Sequence, residues 1–538
     1  MFGALVVGCA AVALLWYFVL SNPSGEAVPA TGGSYVEGVT RTPERINPLY
    51  ASANPVDADL SELIFSGLVR LGPDGTPQPD LAERWEITGN GTNYVFYLRR
   101  GVGWQDDPDN RLDADDVIFT YNAIADPGFK GDPVLAQLLE GVVVTARDAY
   151  TVEFQLEQAY APFLAHLTVG ILPSHLLEDL DANELYNAEF NVRPVGTGPY
   201  RLTGRSDTSV ELQANSTYHF GPPRISTVEM RVYPDIASLS DALRTREIDG
   251  GLFPPDQPAE DTAALRGDDG LSVHELAATS AFVVYLDTRS PLFSDIAVRT
   301  ALLQALNIPV LLDAVGEGKG VASETGIPRA SWAYSAVDVP GFDPGAAARA
   351  LESAGWARGS DGVRRKGELR LAFSITTSDD PFRVAIAEEV AKQWAAVDAR
   401  VSVDPVPADR FIDEYLVPRD FEASLVEIDY GPDPDPYPFW HSTQIAPPGL
   451  NLSGYSSARI DDVLEEARGE TDPALRKEQY ALFAGYFVAD RPALPTFSPV
   501  YLYIQSTDVQ GFEPTLLFNS SARFANVHEW YVRTRVPP

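Results

Sequence analysis

Apolar side chains recur along the chain with two periods, one typical of β-strands and one typical of α-helices. Residues 94–98 form an aromatic and aliphatic run that ends in Arg-Arg-Gly at 99–101, which predicts a strand closed by a turn. Asp113 can cap a helix in which Val117, Tyr121 and Ile124 lie on one face. Both kinds of element are therefore expected in the first third of the chain.

Three more helices are predicted further along the chain. They begin at Asp343, at Asp380 and near Ser456, and each combines a polar start with an apolar stripe. The second of these helices leads directly into an alternating strand at residues 400–404. A helix that feeds a strand in this way is typical of the α/β fold class, which is the class that we predict.

Length, composition and charge narrow the class of protein. The chain has 538 residues, 45% of them hydrophobic, which predicts two or three domains with substantial cores rather than disorder. Forty Lys and Arg residues stand against 76 Asp and Glu residues, for a formal net charge of −36. A field of that sign repels phosphate backbones and anionic lipid headgroups, so we expect no nucleic-acid partner, whereas cationic ligands fit.

The chain carries few residues of the kinds that build metal or catalytic centres. Cys9 is the single cysteine, and the six histidines are scattered without metal-ligand spacing. Residues 316–320 resemble a phosphate-binding loop but lack its Ser or Thr, and residues 106–113 resemble a calcium loop without its Gly at position six. We therefore expect no metal, no cofactor and no catalytic residues, and we predict that the protein is not an enzyme.

The N-terminal segment predicts the compartment. Residues 2–20 carry no charge and reach about 28 Å as a helix, close to the thickness of a bilayer core. We interpret residues 1–25 as an uncleaved membrane anchor, followed by a polar linker at 26–34. A lipoprotein signal with acylation of Cys9, a mis-set start codon and a buried core helix are the alternatives. The rest of the protein should lie on the extracytoplasmic face of the membrane.

Several sequence motifs stand in a particular order. Asp-Leu-Ala-Glu-Arg-Trp-Glu-Ile begins at residue 80, and the aromatic strand and the capped helix follow it. Gly-Thr-Gly-Pro-Tyr comes at 196–200, Asp-Ile-Ala-Val-Arg-Thr-Ala-Leu at 295–302, and Gly-Pro-Asp-Pro-Asp-Pro-Tyr-Pro-Phe-Trp-His-Ser at 431–442. In this order they closely resemble the family 5 extracellular solute-binding proteins of ABC importers. That family includes oligopeptide, dipeptide, nickel and haem binders, and the resemblance extends from about Tyr35 to the C-terminus.

The resemblance implies a domain organisation. It predicts a two-lobed clamshell of the periplasmic-binding-protein kind (type II, cluster C-like) with an extra inserted domain. Lobe I would combine residues 35–66, 192–276 and 492–538, the inserted domain II would span 67–191, and lobe III would span 277–491. Two chain crossings between the lobes would form a hinge that closes on a ligand.

The acidic and proline-rich stretch at 433–438, together with Asp429 just before it, is the main candidate for ligand recognition, and we call it the acidic loop. Its prolines exclude a helix or a central strand, so it must be a rigid loop. In peptide-binding relatives an aspartate of this loop pairs with the α-ammonium group of the ligand. Here Asp429, Asp433 and Asp435 are all candidates, and the spacing does not choose among them. A helix cap or a solvated turn is the alternative role of the loop.

Five further residues are candidate contacts with the ligand, each with a core position as the alternative: Tyr437, Trp440, Asn451, Tyr455 and Tyr285. The Gly-Thr-Gly-Pro-Tyr segment is expected to form a turn, and Trp85 and Trp104 are expected to pack between elements.

The resemblance implies that the protein captures a solute outside the cytoplasm and delivers it to the permease subunits of an ABC transporter. A peptide is the favoured solute, because relatives bind extended peptides between sheet edges. A metal chelate, haem or an oligosaccharide is the alternative ligand, and a chemosensory receptor on the same fold is the alternative function. We expect a monomer.

Overall fold

The computed structural model describes residues 28–257, 259–316 and 319–535, and the side chains of 259–261 and 535 are not described. The predicted anchor at 1–25, with Cys9, lies outside these residues, as do the first two residues of the predicted linker and part of the Gly-rich loop at 316–320. Within the described ranges no single helix is long and apolar enough to cross a membrane. One pair of short helices, Ile296–Gln304 and Ile308–Gly316, meets the length and composition criteria together but is bent by 59°.

Most strands belong to one large sheet or to a smaller one. In the described residues the strands are, in chain order, β1 Val28–Ala30, β2 Ser34–Val39, β3 Val69–Leu71, β4 Pro77–Pro79, β5 Ala82–Thr88, β6 Asn93–Leu98, β7 Val143–Asp148, β8 Thr151–Gln155, β9 Tyr200–Arg205, β10 Ser209–Ala214, β11 Thr227–Val232, β12 Gly250–Phe253, β13 Leu271–Ala277, β14 Ser280–Leu286, β15 Gly320–Ala322, β16 Ala357–Arg358, β17 Arg364–Lys366, β18 Leu369–Arg370, β19 Ala372–Ser378, β20 Arg400–Val406, β21 Ala423–Asp429, β22 Ala493–Ser506 and β23 Arg533–Arg535.

Helices lie between these strands. The α-helices of the described residues are Pro55–Ile64, Ala114–Ala125, Pro133–Leu138, Ser174–Leu177, Ala182–Tyr186, Ile236–Arg244, Ala259–Arg266, Ile296–Gln304, Ile308–Gly316, Pro344–Ser353, Pro381–Trp394, Ala408–Arg410, Tyr437–Trp440, Ala458–Gly469 and Pro473–Asp490. Shorter 3₁₀ turns include Ala161–His166 and Ser520–Phe524, and Phe411–Leu416 is a π-helical turn.

The local predictions from the sequence are confirmed. The aromatic run forms β6, and the helix Ala114–Ala125 is capped by Asp113 in a reciprocal capping box with Asp116. Asp343 and Asp380 cap the helices that follow them, and the second of these helices leads into β20. The helix predicted near Ser456 is Ala458–Gly469.

The large sheet has the order β20-β19-β21-β14-β22-β12-β2-β11-β10-β9, and β13 and β15 also pair with β22. The long strand β22 joins its two halves. The first part of β22 pairs with β14, where Tyr285 lies opposite Ala493, and its last part pairs with β13, where Leu271 lies opposite Ser506. The chain therefore passes between the two halves twice, at 277–280 and at 497–500.

A smaller antiparallel sheet of order β5-β6-β8-β7 forms within residues 82–155. It packs on the helix Ala114–Ala125, where Tyr121 lies edge-on against Phe154 at a centroid distance of 4.9 Å. Trp104 is fully buried in the core on this side of the molecule, and Trp85 is partly buried against it. The packing roles predicted for the two tryptophans are confirmed.

Strand β14 is buried on both faces. Phe282, Val284 and Leu286 pack into one core, together with Trp394 of the helix Pro381–Trp394. Val283 and Tyr285 point the other way, into a second core. A strand that is covered on both sides carries a continuous apolar run, as this one does.

Candidate functional site

A cavity of about 2120 Å³ opens between the two halves of the large sheet. Its lining comes from segments far apart in sequence: the helix Pro55–Ile64 and the chain after it, residues 132–170, residues 278–280, residues 427–469 and residues 515–525. Because both halves contribute, a molecule in this cavity would touch both of them. This cavity is the candidate ligand site.

The acidic loop lies on the wall of this cavity. Strand β21 ends at Asp429, Gly431 takes a positive φ of 66°, and a short helix begins at Tyr437. The positive φ favours glycine, which allows the sharp exit from the strand. The prediction of a loop throughout 433–438 is therefore wrong for its last two residues, because a proline in the first turn of a helix loses no intrahelical hydrogen bond. Asp429, Asp433, Asp435 and Tyr437 all line the cavity.

Asp433 is neutralised within the protein. Its carboxylate accepts hydrogen bonds from both terminal nitrogens of Arg476, at 2.7 and 2.5 Å. Both residues are about 5% exposed. Burial is the largest single influence on Arg476 and lowers the pKa of its guanidinium, but the charge and hydrogen bonds of Asp433, together with Tyr480 and Asp435, raise this pKa overall. Asp433 is therefore one half of a buried, bidentate ion pair.

Asp435 is neutralised in a similar way. One of its oxygens accepts a hydrogen bond from Arg468 Nε at 2.7 Å, and the other caps the following helix at the Tyr437 amide. The Arg468 guanidinium also lies 3.8 Å from the centroid of the Tyr437 ring and 5.2 Å from that of Tyr160. Arg468 thus connects the acidic loop with a residue from the opposite wall of the cavity.

Asp429 differs from the other two aspartates. Its Oδ1 accepts hydrogen bonds from the Gly431 amide at 2.8 Å and from the Thr279 hydroxyl at 3.0 Å. No basic side chain among the described residues forms an ion pair with it. The surrounding walls remove water from the carboxyl, and this desolvation, together with the charge of Glu427, raises the pKa of Asp429. Its Oδ2 accepts no hydrogen bond from the described residues, and the side chain is exposed in the cavity.

The remaining predicted contacts lie behind the cavity wall. Tyr285 and Trp440 are buried and stack on each other at a centroid distance of 5.4 Å. Asn451 is fully buried, and its amide donates hydrogen bonds to the carbonyls of Trp440, His441 and Tyr455. The Tyr455 hydroxyl donates to Asp490. These four residues do not line the cavity, and they support the acidic loop and the segment after it.

Two acidic residues of the cavity lining, Glu427 and Glu62, were not predicted from the sequence. Glu427 accepts hydrogen bonds from Ser280 and Arg383, both at 2.8 Å, beside Asp429. Glu62 also lines the cavity, and it is the exposed acidic residue on an otherwise mostly buried helix. A charged residue among the apolar positions of a mostly buried helix is a pattern that could have been recognised in the sequence.

The Gly-Thr-Gly-Pro-Tyr segment leads into the antiparallel pair β9 and β10, as predicted, and it also packs closely on the chain before it. A Cβ on Gly196 would stand 2.1 Å from the Ile64 carbonyl oxygen, and one on Gly198 would stand 2.5 Å from the Ile64 carbonyl carbon. The two glycines allow the chain to cross the end of the helix Pro55–Ile64 at close range.

Among the described residues no group of three or more His, Cys, Asp or Glu side chains is arranged to hold a metal ion. The lining offers partly desolvated carboxylates, among them Asp429 and Glu62, on polar and apolar walls.

A comparison with protein families matches residues 76–447 to a family described as bacterial extracellular solute-binding proteins, family 5. Among curated relatives, Protein XP55 of Streptomyces lividans is 30% identical over 465 residues, which is 85% of this chain and 82% of that protein. The oligopeptide-binding protein AppA of Bacillus subtilis is 26% identical over 515 residues, covering 94% of this chain and 92% of its own.

The solved structures agree at the level of the fold. AppA of Bacillus subtilis in complex with a nonapeptide superposes with a TM-score of 0.70 and 25% identity, over 94% of this chain and 100% of the other. NikZ of Campylobacter jejuni in complex with Ni(L-His) superposes with a TM-score of 0.71 and 24% identity, over 93% and 99% of the two chains. The predicted α/β, two-lobed fold is confirmed by these matches.

Proposed function

The chain belongs to the bacterial extracellular solute-binding proteins of family 5, and we propose that its cavity binds a peptide whose α-ammonium group pairs with Asp429. The protein captures its solute outside the cytoplasm and delivers it to an ABC transporter. The observation that carries the choice of Asp429 is its Oδ2, which faces the cavity without a cationic partner in the described part of the chain.

The acidic loop offers a peptide one usable countercharge. Arg476 occupies both oxygens of Asp433, and Arg468 together with the Tyr437 amide occupies those of Asp435. An ammonium group at either position would compete with an existing guanidinium. At Asp429 it would meet a desolvated carboxylate, where a charge-assisted hydrogen bond contributes about 1.5–3 kcal/mol.

The size of the cavity supports a peptide over a smaller solute. Pockets for drug-sized molecules usually measure roughly 300–1,000 Å³. The cavity here, at about 2120 Å³, exceeds that range and has room for several residues of an extended chain. The relative AppA was solved with a nonapeptide, which agrees with a ligand of this kind.

The test is a double-mutant cycle between Asp429 and the peptide amine. Asp429→Asn keeps the Oδ1 acceptor for Thr279 and Gly431 and removes the countercharge. Calorimetry with tetra-alanine should show at least about a hundredfold loss of affinity in this variant, equivalent to about 2.7 kcal/mol. N-acetyl-tetra-alanine should bind the wild type weakly and should be affected far less by the mutation.

The matched control is Glu140→Gln, which removes another exposed carboxylate from the same cavity lining. It should change the affinity for tetra-alanine by less than about twofold. If Asp429→Asn binds tetra-alanine as the wild type does, the amine is recognised elsewhere. If acetylation has no effect on wild-type binding, the ligand is not a peptide held by its N-terminus.

We further propose that the protein carries out no chemistry on its ligand, that it is a monomer, and that its N-terminal residues 2–20 tether it to the membrane. Removing residues 1–25 should then move the protein from the membrane fraction to the soluble fraction with tetra-alanine binding intact. A truncated chain that aggregates or loses binding would contradict this role of the segment.

A further inference from the structure

The lining of the cavity is strongly acidic. It includes eleven carboxylates and four guanidiniums. Several of these carboxylates are already paired, for example Glu427 with Arg383 and Asp435 with Arg468. Asp429 and Glu62 differ from these carboxylates in two ways. Each is exposed in the cavity and forms no ion pair with the described residues. Each is nevertheless partly desolvated by its surroundings.

Glu62 lies in the last turn of the helix Pro55–Ile64. Most of this helix is buried, and Glu62 is exposed on the side that lines the cavity. Its neighbour Asp59 is 2% exposed and is held by Arg523 at 2.6 Å, and Asp80 is held by His219 at 2.6 Å. The nearby acids therefore have partners, whereas no ion pair of Glu62 is found within the part of the chain that the structure describes.

The positive charge of Arg70 favours the ionised form of Glu62, but the two side chains form no ion pair among the described residues. Its guanidinium lies 4.6 Å from the centroid of the Phe220 ring. The charged and titratable groups that surround Glu62, directly or through Asp80 and Arg70, are Asp59, Arg70, Asp80, Arg99, Tyr218, His219, Arg523 and His528.

Glu62 and Asp429 both line the cavity, and a series of hydrogen bonds links the segments that carry them. Thr279, which donates a hydrogen bond to Asp429, also donates its amide proton to the Leu517 carbonyl. Three residues further on, the Ser520 hydroxyl donates to Asp59, which lies in the same helix as Glu62. Leu517 and Ser520 are at most about 11 Å apart, and both carboxylates line the same cavity, so one extended peptide bound in it can contact both.

We propose that Glu62 binds a second cationic group of the ligand, the ammonium or guanidinium of a basic side chain within its first four residues. The inference rests on the proposed peptide-binding function and narrows the substrate class to basic peptides. Asp429 would hold the α-ammonium group of every peptide, and Glu62 would distinguish Lys or Arg from uncharged side chains of similar length.

The proposal includes a dependence on pH. Desolvation, with the charges of Asp80 and Asp59, raises the pKa of Glu62 to about 7, and Arg70 opposes this shift. A cation binds to the ionised carboxylate. The preference for a basic side chain should therefore be complete above pH 7 and should fall, by at most about tenfold per unit, as the pH drops below 7.

The experiment uses tetra-alanine in which position 2, 3 or 4 carries either Lys or norleucine, which has the same hydrocarbon length without the charge. Calorimetry on the wild type at pH 8 should show at least about tenfold tighter binding of the Lys peptide at one position. Glu62→Gln should abolish that preference, change the affinity for tetra-alanine by less than about twofold, and remove the pH dependence of the Lys preference. Glu140→Gln, the matched control on the same lining, should retain all three properties.

The outcomes separate this inference from the function on which it rests. If none of these peptides binds the wild type, both the peptide function and the role of Glu62 are overturned. If the peptides bind through Asp429 but Lys brings no gain at any position, or the gain persists in Glu62→Gln, the role of Glu62 alone is overturned.

Discussion

Replacing Asp433 with Asn should destabilise the folded protein and leave ligand recognition largely intact, the reverse of what we expect at Asp429. The Asp433 carboxylate and the Arg476 guanidinium form two hydrogen bonds inside the protein, and each residue is about 5% exposed. The Arg476 guanidinium also donates to the Tyr480 hydroxyl at 2.6 Å. After the substitution, a buried guanidinium would remain without its counterion.

The magnitude follows from this geometry. Breaking a buried ion pair by removing one partner costs about 3–5 kcal/mol, because the remaining charge stays desolvated. Asn keeps one acceptor oxygen for one Arg476 nitrogen, but it places its amide donor against the other nitrogen, which is itself a donor, so we expect a loss of about 3–5 kcal/mol. Total stabilities are about 5–15 kcal/mol, so this loss is a large fraction of the whole. At Asp429, Asn keeps both existing hydrogen bonds and removes a desolvated charge, so the free energy of unfolding should stay equal or rise slightly.

Urea unfolding monitored by tryptophan fluorescence measures both effects, with tetra-alanine calorimetry on the same samples. Asp433→Asn should lower the unfolding midpoint clearly and keep the wild-type affinity within a few-fold below the transition. Arg476→Met combined with Asp433→Leu should recover much of the loss, because apolar pairs often replace buried ion pairs without cost. An unchanged midpoint for Asp433→Asn would refute the assignment of this carboxylate to the internal ion pair, and so would a selective loss of binding.

Three further outcomes are expected. Gly198→Ala places a Cβ 2.5 Å from the Ile64 carbonyl carbon and should lower the free energy of unfolding by about 1–3 kcal/mol in urea titrations. The control is Gly485→Ala, which should not lower it, because a Cβ there meets nothing within 4 Å. Asn451→Ala leaves three buried carbonyls without their donor and should cost about 1–3 kcal/mol in thermal unfolding, with the Kd for tetra-alanine at 20 °C unchanged because Asn451 does not line the cavity. Saturating tetra-alanine should reduce the radius of gyration in small-angle scattering, since a ligand that touches both halves favours the closed form, and an unchanged curve would count against closure.

Much of the fold was predictable because its signals are local. Three helix starts were predictable because the capping side chain accepts a hydrogen bond from an amide only a few residues further on, as Asp113, Asp343 and Asp380 do. The aromatic run at 94–98 forms a strand because its side chains pack on either side of the β6 backbone. The order of the motifs likewise identified the family without any knowledge of contacts.

The candidate site was predictable only as a region. The acidic loop was expected to be rigid and to contact the ligand. Four of its predicted residues do line the cavity: Asp429, Asp433, Asp435 and Tyr437. Tyr285 and Trp440 could not be placed from sequence, because an aromatic residue suits a ligand wall and a core equally well. Burial of β14 on both faces puts Tyr285 against Trp440 in the core.

The sequence by itself determined four of the helices, two of the strands, the family and the segment that carries the acidic loop, because each depends on motifs of residues close together in the chain. Only the tertiary structure decided which acid is free. Arg476 lies 43 positions after Asp433, Arg468 lies 33 positions after Asp435, and Glu62 faces the cavity through the orientation of its helix. The charge state and the availability of a carboxylate depend on which cations and walls surround it in space, and the fold alone brings those groups together.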